Sequence, residues 1–179
     1  MKNAIFLERD GILNLTRIER QTQATPLTLG EFEVNPAAVA LCQHLKESGF
    51  LLIATTNQPG LSTGTLSRRE LDRMHAQLRL ALPLDDIMVC PHDAADNCPC
   101  RKPLPGLFME AAFKFHIDLE RSFVISDKWQ DARAARAVGC TSMLLQSPWV
   151  GSGHHDFVLS SLSAIAGKIL QLQTRHLAA

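Results

Sequence analysis

Two carboxylates, Glu8 and Asp10, stand two residues apart in Phe6-Leu7-Glu8-Arg9-Asp10-Gly11, directly after the apolar run Ala4-Ile5-Phe6-Leu7. On extended chain, residues i and i+2 project to the same side. Such a pair can hold a cation, or divide the labour of nucleophile and acid/base. The same residues also suit a charged turn after a strand. Their company elsewhere in the chain decides between the two.

That company is specific. Cys90-Pro91-His92 is followed, after five residues, by Cys98-Pro99-Cys100. Three thiols and an imidazole within eleven residues fit a closed tetrahedral Cys₃His zinc site. All four positions are filled by protein, so the expected zinc is structural and pins loop 90–100. Cys42 and Cys140 complete an odd count of five cysteines, which disfavours a disulfide framework; both read as small buried residues. Arg101-Lys102-Pro103 follows the zinc loop at once. Two cations held on so short a tether suit a phosphoryl group, Arg by its planar fork and Lys as a point charge. Thr55-Thr56-Asn57-Gln58-Pro59-Gly60 offers a hydroxyl, an amide and backbone N–H groups for the same purpose, or a capped turn. Ser126-Asp127-Lys128 ends a further apolar run. Asp127 could complete an oxygen-ligand site with Glu8 and Asp10, the donor set of a hard ion such as Mg²⁺. Asp127 and Asp131 could equally cap a helix, Asp131 especially.

Alternating strand-like and helix-like segments must position these groups, which predicts an α/β fold with a mainly parallel sheet. Strands are expected at Ala4–Leu7, Phe50–Ala54, Ile87–Val89, Phe123–Ile125 and Ser142–Leu145. Helices are expected after the Asn35-Pro36 cap, after the Ser67-Arg68-Arg69-Glu70 capping box, from Pro105-Gly106 to about Phe115, from Asp131 to Val138, and around Leu162–Leu170. Residues 14–34 read as one long irregular loop, of the kind that is usually functional or mobile. The chemical residues all follow strand C-terminal ends, where open α/β sheets bind ligands.

The 179 residues suffice for one domain over 1–179 with the zinc loop inserted. Eighteen basic residues balance eighteen acidic ones, which argues against a nucleic-acid or anionic-membrane partner. No run approaches membrane-spanning length and the N-terminus has no signal-peptide pattern, so a cytoplasmic monomer is expected.

In this order, the motifs resemble the haloacid dehalogenase (HAD) superfamily over nearly the whole chain. Phe6–Asn14 looks like its first motif, Thr56-Asn57-Gln58 the second, Arg101-Lys102-Pro103 the third, and Asp127-Lys128 with Asp131 the fourth. Cys-Pro-His, a spacer, then Cys-x-Cys-Arg-Lys-Pro is similar to the branch of heptose-bisphosphate and histidinol-phosphate phosphatases. The resemblance implies a Rossmann-like three-layer sandwich without a large cap domain. It implies a Mg²⁺-dependent phosphomonoesterase acting on a small phosphorylated metabolite, such as D-glycero-D-manno-heptose 1,7-bisphosphate or histidinol phosphate. The residue at position 8 would attack phosphorus, Asp10 would serve as acid and base, Thr56 would bind phosphoryl oxygens, and Lys102 would neutralise charge. Asn57, Arg101 and Lys128 would bind substrate. Glu8, the Asp10 carbonyl and Asp127 would hold Mg²⁺. Two positions depart from the family pattern: Ser126 stands where Gly is usual, and Glu8 stands where the nucleophile is Asp. The extra methylene displaces the attacking oxygen by roughly an ångström, and misplacement on that order costs about 10²-fold. The expectation is a slowed phosphatase; a trapped variant and a catalytically silent phosphoester-binding protein are the alternatives.

Overall fold

A computed structural model describes residues 1–19 and 21–177. Six strands form one wholly parallel sheet: β1 (Ala4–Glu8), β4 (Leu51–Asn57), β5 (Asp86–Cys90), β6 (Phe123–Ser126), β7 (Thr141–Leu145) and β8 (Phe157–Leu159), in spatial order β5-β4-β1-β6-β7-β8. β1 is central and every residue of it is buried, as a parallel strand covered on both faces requires. Its alternating residues divide the core. Ile5 and Leu7 face α1 (Pro36–Glu47), α3 (Arg68–Ala81) and α6 (Leu162–Leu177), whereas Ala4 and Phe6 face α4 (Gly106–Phe115) and α5 (Trp129–Ala137); α2 is the single turn Gly60–Thr63 after β4. The three-layer sandwich expected from the sequence is thereby present. Among the described residues, no helix is long and apolar enough to cross a membrane.

Local rules explain most boundaries. The Asn35 side chain accepts from Ala37 N–H at 3.1 Å, with Pro36 in the first turn of α1, and Gly49 closes the turn after it at φ +89°. Ser67 accepts from Glu70 N–H at 3.2 Å and starts α3. Only half of the expected capping box forms: the Glu70 carboxylate turns away and accepts from Leu29 N–H at 2.7 Å, pinning the single turn Leu29–Glu31 onto α3.

Three expectations need correction. Residues 14–34 are not one irregular loop but carry an antiparallel hairpin, β2 (Arg17–Glu19) and β3 (Thr22–Ala24). β8 was not foreseen; its three residues are too short for a periodic signal. α5 begins two residues before Asp131, and Asp131 is not its N-cap.

The sheet order reverses direction at β1, between β4 on one side and β6 on the other. A crevice opens at such a switch point, beyond the carboxyl ends of the strands. Glu8 ends β1, Asn57 ends β4 and Asp127 follows β6, so three loops meet there.

Candidate active site

The crevice is a cavity of about 450 Å³ lined by Glu8, Asp10, Asn57, Arg101, Lys102 and Lys128 among the residues expected from the sequence. Asp131, Thr22, Gln23, Thr25, Trp129 and Trp149 complete most of the remaining wall. Thr56 is fully buried behind that wall, accepting from Gln58 Nε2 at 2.7 Å. The same amide group donates to Asp10 Oδ2 at 2.9 Å, so Gln58 ties Thr56 to Asp10.

Lys102 is the hub. Its buried ammonium donates to Glu8 Oε2, and to Asp131 Oδ1 at 2.6 Å. Asn57 fixes its backbone from both directions: Asn57 Nδ2 donates to Lys102 O at 3.0 Å and Lys102 N–H donates to Asn57 Oδ1 at 3.1 Å. The Asn57 amide is thus committed to holding Lys102 in place. Burial pushes the Glu8 carboxyl upward, but the Lys102 and Lys128 ammoniums and the Lys102 hydrogen bond outweigh it and leave it lowered to about 2. Burial raises the Asp131 carboxyl to about 6, with Glu8 adding to that and Lys102 opposing it. Burial alone would depress Lys102, yet Asp131 and Glu8 raise it, so it stays charged.

Arg9 is fully buried, and a buried guanidinium must be paired. It grips its neighbour: Nε donates to Asp10 Oδ1 and Nη2 to Asp10 Oδ2, each at 3.0 Å. Its Nη1 lies 3.3 Å from His75 Nε2 on α3. Burial, then the Arg9 charge, drives the His75 pKa down to about 3, so His75 is a neutral acceptor. An unfolded histidine protonates near pH 6.5, so the unfolded chain binds the extra proton and stability falls as pH drops from about 6.5 toward about 3. Asp131 acts in the opposite sense below about 6, so the effect is best read by comparing variants. Between pH 7 and 5, His75→Gln is expected to lose about 2 kcal/mol less than the wild type in urea unfolding.

The Lys128 ammonium donates to the Asp10 carbonyl, and to Asp127 Oδ1 at 3.0 Å. Asp127 Oδ2 accepts from Gln23 Nε2 at 2.9 Å, which latches the β2–β3 hairpin onto the site. A side chain at Gly11 (φ +101°) would run into both Asp127 and Gln23, so this latch needs glycine there. Ser126 is buried and its Oγ accepts from Lys128 N–H at 3.1 Å.

Beside the cavity, Cys90, His92, Cys98 and Cys100 bring their ligand atoms within 4.8 Å of one another. The Sγ–Sγ separations are 3.2–3.6 Å, and His92 Nδ1 lies 3.3 Å from Cys100 Sγ and 3.7 Å from Cys90 Sγ. A tetrahedron with metal–sulfur bonds of about 2.3 Å has edges of about 3.8 Å, so the four donors fit zinc with a small expansion. Arg101 Nη1 donates to His92 O at 3.0 Å, so the loop that carries the cluster also positions the Arg101 guanidinium. Gly106 lets α4 start against this loop, since a Cβ there would sit 2.5 Å from Pro99 O. Cys42 and Cys140 lie apart, and burial pushes both thiols up to about 12, with Asp118 adding to it at Cys140.

Residues 99–159, which include Arg101, Lys102 and Asp127, match the Hydrolase_like family model, described as HAD-hydrolase-like. The D-glycero-β-D-manno-heptose-1,7-bisphosphate 7-phosphatase of Pseudomonas putida is 32% identical over 93% of this chain and 98% of its own. The Helicobacter pylori (strain J99) protein of the same name is 36% identical over 73% of this chain and 75% of its own. The chain belongs to this phosphatase family. The crystal structure of the Bordetella bronchiseptica D,D-heptose 1,7-bisphosphate phosphatase, complexed with magnesium and phosphate, superposes with a TM-score of 0.81 at 29% identity, covering 96% of this chain and 99% of that one. Family membership and fold thus agree with the motif order, and the HAD-like sandwich is common to both chains.

Several residues of the site were not singled out from the sequence. Gln23, His75, Trp129 and Trp149 carry no motif signal, and Gln58 belonged to the second motif without a role of its own. Asp131 did belong to the fourth motif, but its spacing from Asp127 suits a helix cap equally well.

Proposed function

We propose that this protein is a Mg²⁺-dependent phosphomonoesterase acting on a sugar bisphosphate of the D-glycero-D-manno-heptose 1,7-bisphosphate type. One observation carries the reading: at the end of β1, Glu8 and Asp10 face one cavity, with Lys102 hydrogen-bonded to the first. The relatives' shared name supports the substrate.

In this reading a Glu8 carboxylate oxygen attacks phosphorus and the phosphorus–oxygen ester bond breaks. Asp10 gives a proton to the departing alkoxide. The resulting glutamyl phosphate is then hydrolysed by a water whose proton Asp10 takes back, releasing inorganic phosphate and restoring Glu8. Lys102 neutralises charge on the transferring group, and Arg101 binds substrate from its tether on the zinc loop. The oxygens of Glu8, the Asp10 carbonyl and Asp127 would hold Mg²⁺; the Lys128 ammonium bonded to two of them supports this reading. When bound, Mg²⁺ supplies Lewis-acid stabilisation of the phosphoryl oxygens. The zinc is structural in this proposal. Zinc content of protein purified without added metal is expected near one per chain, and less than about half would count against the Cys₃His reading. Free cysteines suit a reducing compartment such as the cytoplasm.

The test is phosphate release with Mg²⁺ on a panel containing heptose 1,7-bisphosphate and histidinol phosphate. Turnover is expected to favour the heptose bisphosphate. Preference for histidinol phosphate would overturn the substrate assignment. Binding without turnover, in the wild type and after Glu8→Asp, would favour a silent phosphoester-binding protein.

A further inference from the structure

Lys128 holds a position that its assignment to substrate binding does not explain. It follows Asp127 directly and lines the cavity, yet its ammonium does not point into open space. It sits between the Asp10 carbonyl and Asp127 Oδ1. Those are two of the oxygens read above as cation ligands. The third ligand, Glu8, is turned toward Lys102 and accepts from Asp10 N–H through Oε1 at 3.3 Å. Both Asp127 oxygens are engaged, Oδ1 by Lys128 and Oδ2 by Gln23, whose amide Gly11 lets close in. Burial would depress the ammonium's pKa, but the charges of Glu8, Asp127 and Asp131 raise it. A divalent ion can reach Asp10 O and Asp127 Oδ1 only by evicting it.

We infer that Lys128 is a tethered cation that competes with the divalent ion for one site, and that metal binding drives its ammonium into the cavity to meet the phosphoryl group. The inference rests on reading Glu8, Asp10 and Asp127 as the cation site. It has three consequences. The acidic cluster stays neutralised when no metal is bound. Apparent metal affinity is reduced by the fraction of time Lys128 is away, so a site vacated about one time in ten binds about tenfold more weakly. A phosphate in the cavity gives the displaced ammonium a new partner, so phosphate and metal should each tighten the other by the same factor. Lysine suits this exchange, being a compact point charge on a flexible stem.

The experiment titrates the zinc-loaded full-length protein with Mn²⁺, followed by electron paramagnetic resonance, with and without inorganic phosphate. Lys128→Met is expected to bind Mn²⁺ at least tenfold more tightly than the wild type, and phosphate should tighten the wild type more than the variant. Losing any nearby positive charge favours a cation, so Arg101→Met is the reference. Arg101 lines the same cavity but donates to His92 O rather than to a ligand oxygen. A gain for Lys128→Met no larger than for Arg101→Met would overturn the inference. The wild type provides a second test that needs no variant: in crystals soaked with Mg²⁺, the Lys128 ammonium should lie beyond hydrogen-bond distance of the Asp10 carbonyl. Metal bound with that hydrogen bond intact would sink the exchange while leaving the metal site standing. Failure of both wild type and Lys128→Met to bind Mn²⁺ would overturn the metal reading itself, and this inference with it. Binding by the variant alone would show that Lys128 blocks the site without yielding it, and would overturn the exchange.

Discussion

Substituting methionine for Lys102 is expected to abolish phosphate release and to lower stability by about 3–5 kcal/mol at pH 7, the usual loss when one member of a buried ion pair is removed. The volume of the side chain is nearly kept, so the effect is electrostatic. In the wild type the ammonium lies between Glu8 Oε2 and Asp131 Oδ1, and Thr55 O is 3.3 Å away. All three residues that carry charge are buried. Without the cation, two desolvated carboxylates face each other, and one of them must take a proton. Its folded pKa then lies above the unfolded value, so the variant loses stability as pH rises through that folded value and regains it as pH falls. The gap in melting temperature between variant and wild type should therefore narrow from pH 7 to pH 5. Adding Asp131→Asn to Lys102→Met removes one of the two stranded charges and should recover part of the loss. A drop below about 1 kcal/mol for Lys102→Met would show that Glu8 and Asp131 do not depend on Lys102.

This triad marks the limit of what the chain declared in advance. Lys102 and Glu8 were legible because each belongs to a short motif whose residue types suit phosphoryl transfer. The Cys₃His cluster was legible for a stronger reason: its spacing is local and few other uses bring three thiols and an imidazole so close. Asp131 was ambiguous, since an acid four residues after Asp127 serves a helix cap as readily as a buried cation. Arg9 was unreadable. Beside Asp10 it looks like half of a solvated pair, and nothing local reveals that strand β1 is central and that the guanidinium must be buried. Gln23 and Asp127 are 104 residues apart, so their hydrogen bond depends on where the β2–β3 hairpin folds back. The alternating pattern of strands and helices gave the α/β fold with its parallel sheet, because burial on both faces leaves apolar runs; the three-layer sandwich came with the family resemblance. It missed the hairpin, whose β2 is wholly exposed and shows no apolar alternation.

Shortening Glu8 to aspartate is expected to raise kcat at least tenfold while leaving KM little changed. Glu8 ends β1, and its backbone is set by pairing to Thr55 on β4, so a longer side chain carries the carboxylate further into the cavity instead of shifting the strand. In the structure that extra reach is used: Oε2 meets the Lys102 ammonium, while Oε1 folds back to accept from Asp10 N–H. An oxygen held against Lys102 is displaced from a position in line with a leaving group by roughly an ångström, and recovering that alignment is worth up to about 10²-fold. Glu8→Asp should also weaken the contact with Lys102, so stability should fall by about 1–2 kcal/mol even as turnover rises. Opposite movements in rate and stability separate this account from a general improvement in folding. Glu8→Gln, which keeps the shape and removes the nucleophile, should show no phosphate release above background and fixes the baseline for the comparison. If Glu8→Asp leaves kcat unchanged while Mn²⁺ still binds, the glutamate is not a misplaced nucleophile. The chemistry would then have to be sought outside Glu8, with the carboxylate serving only to anchor Lys102.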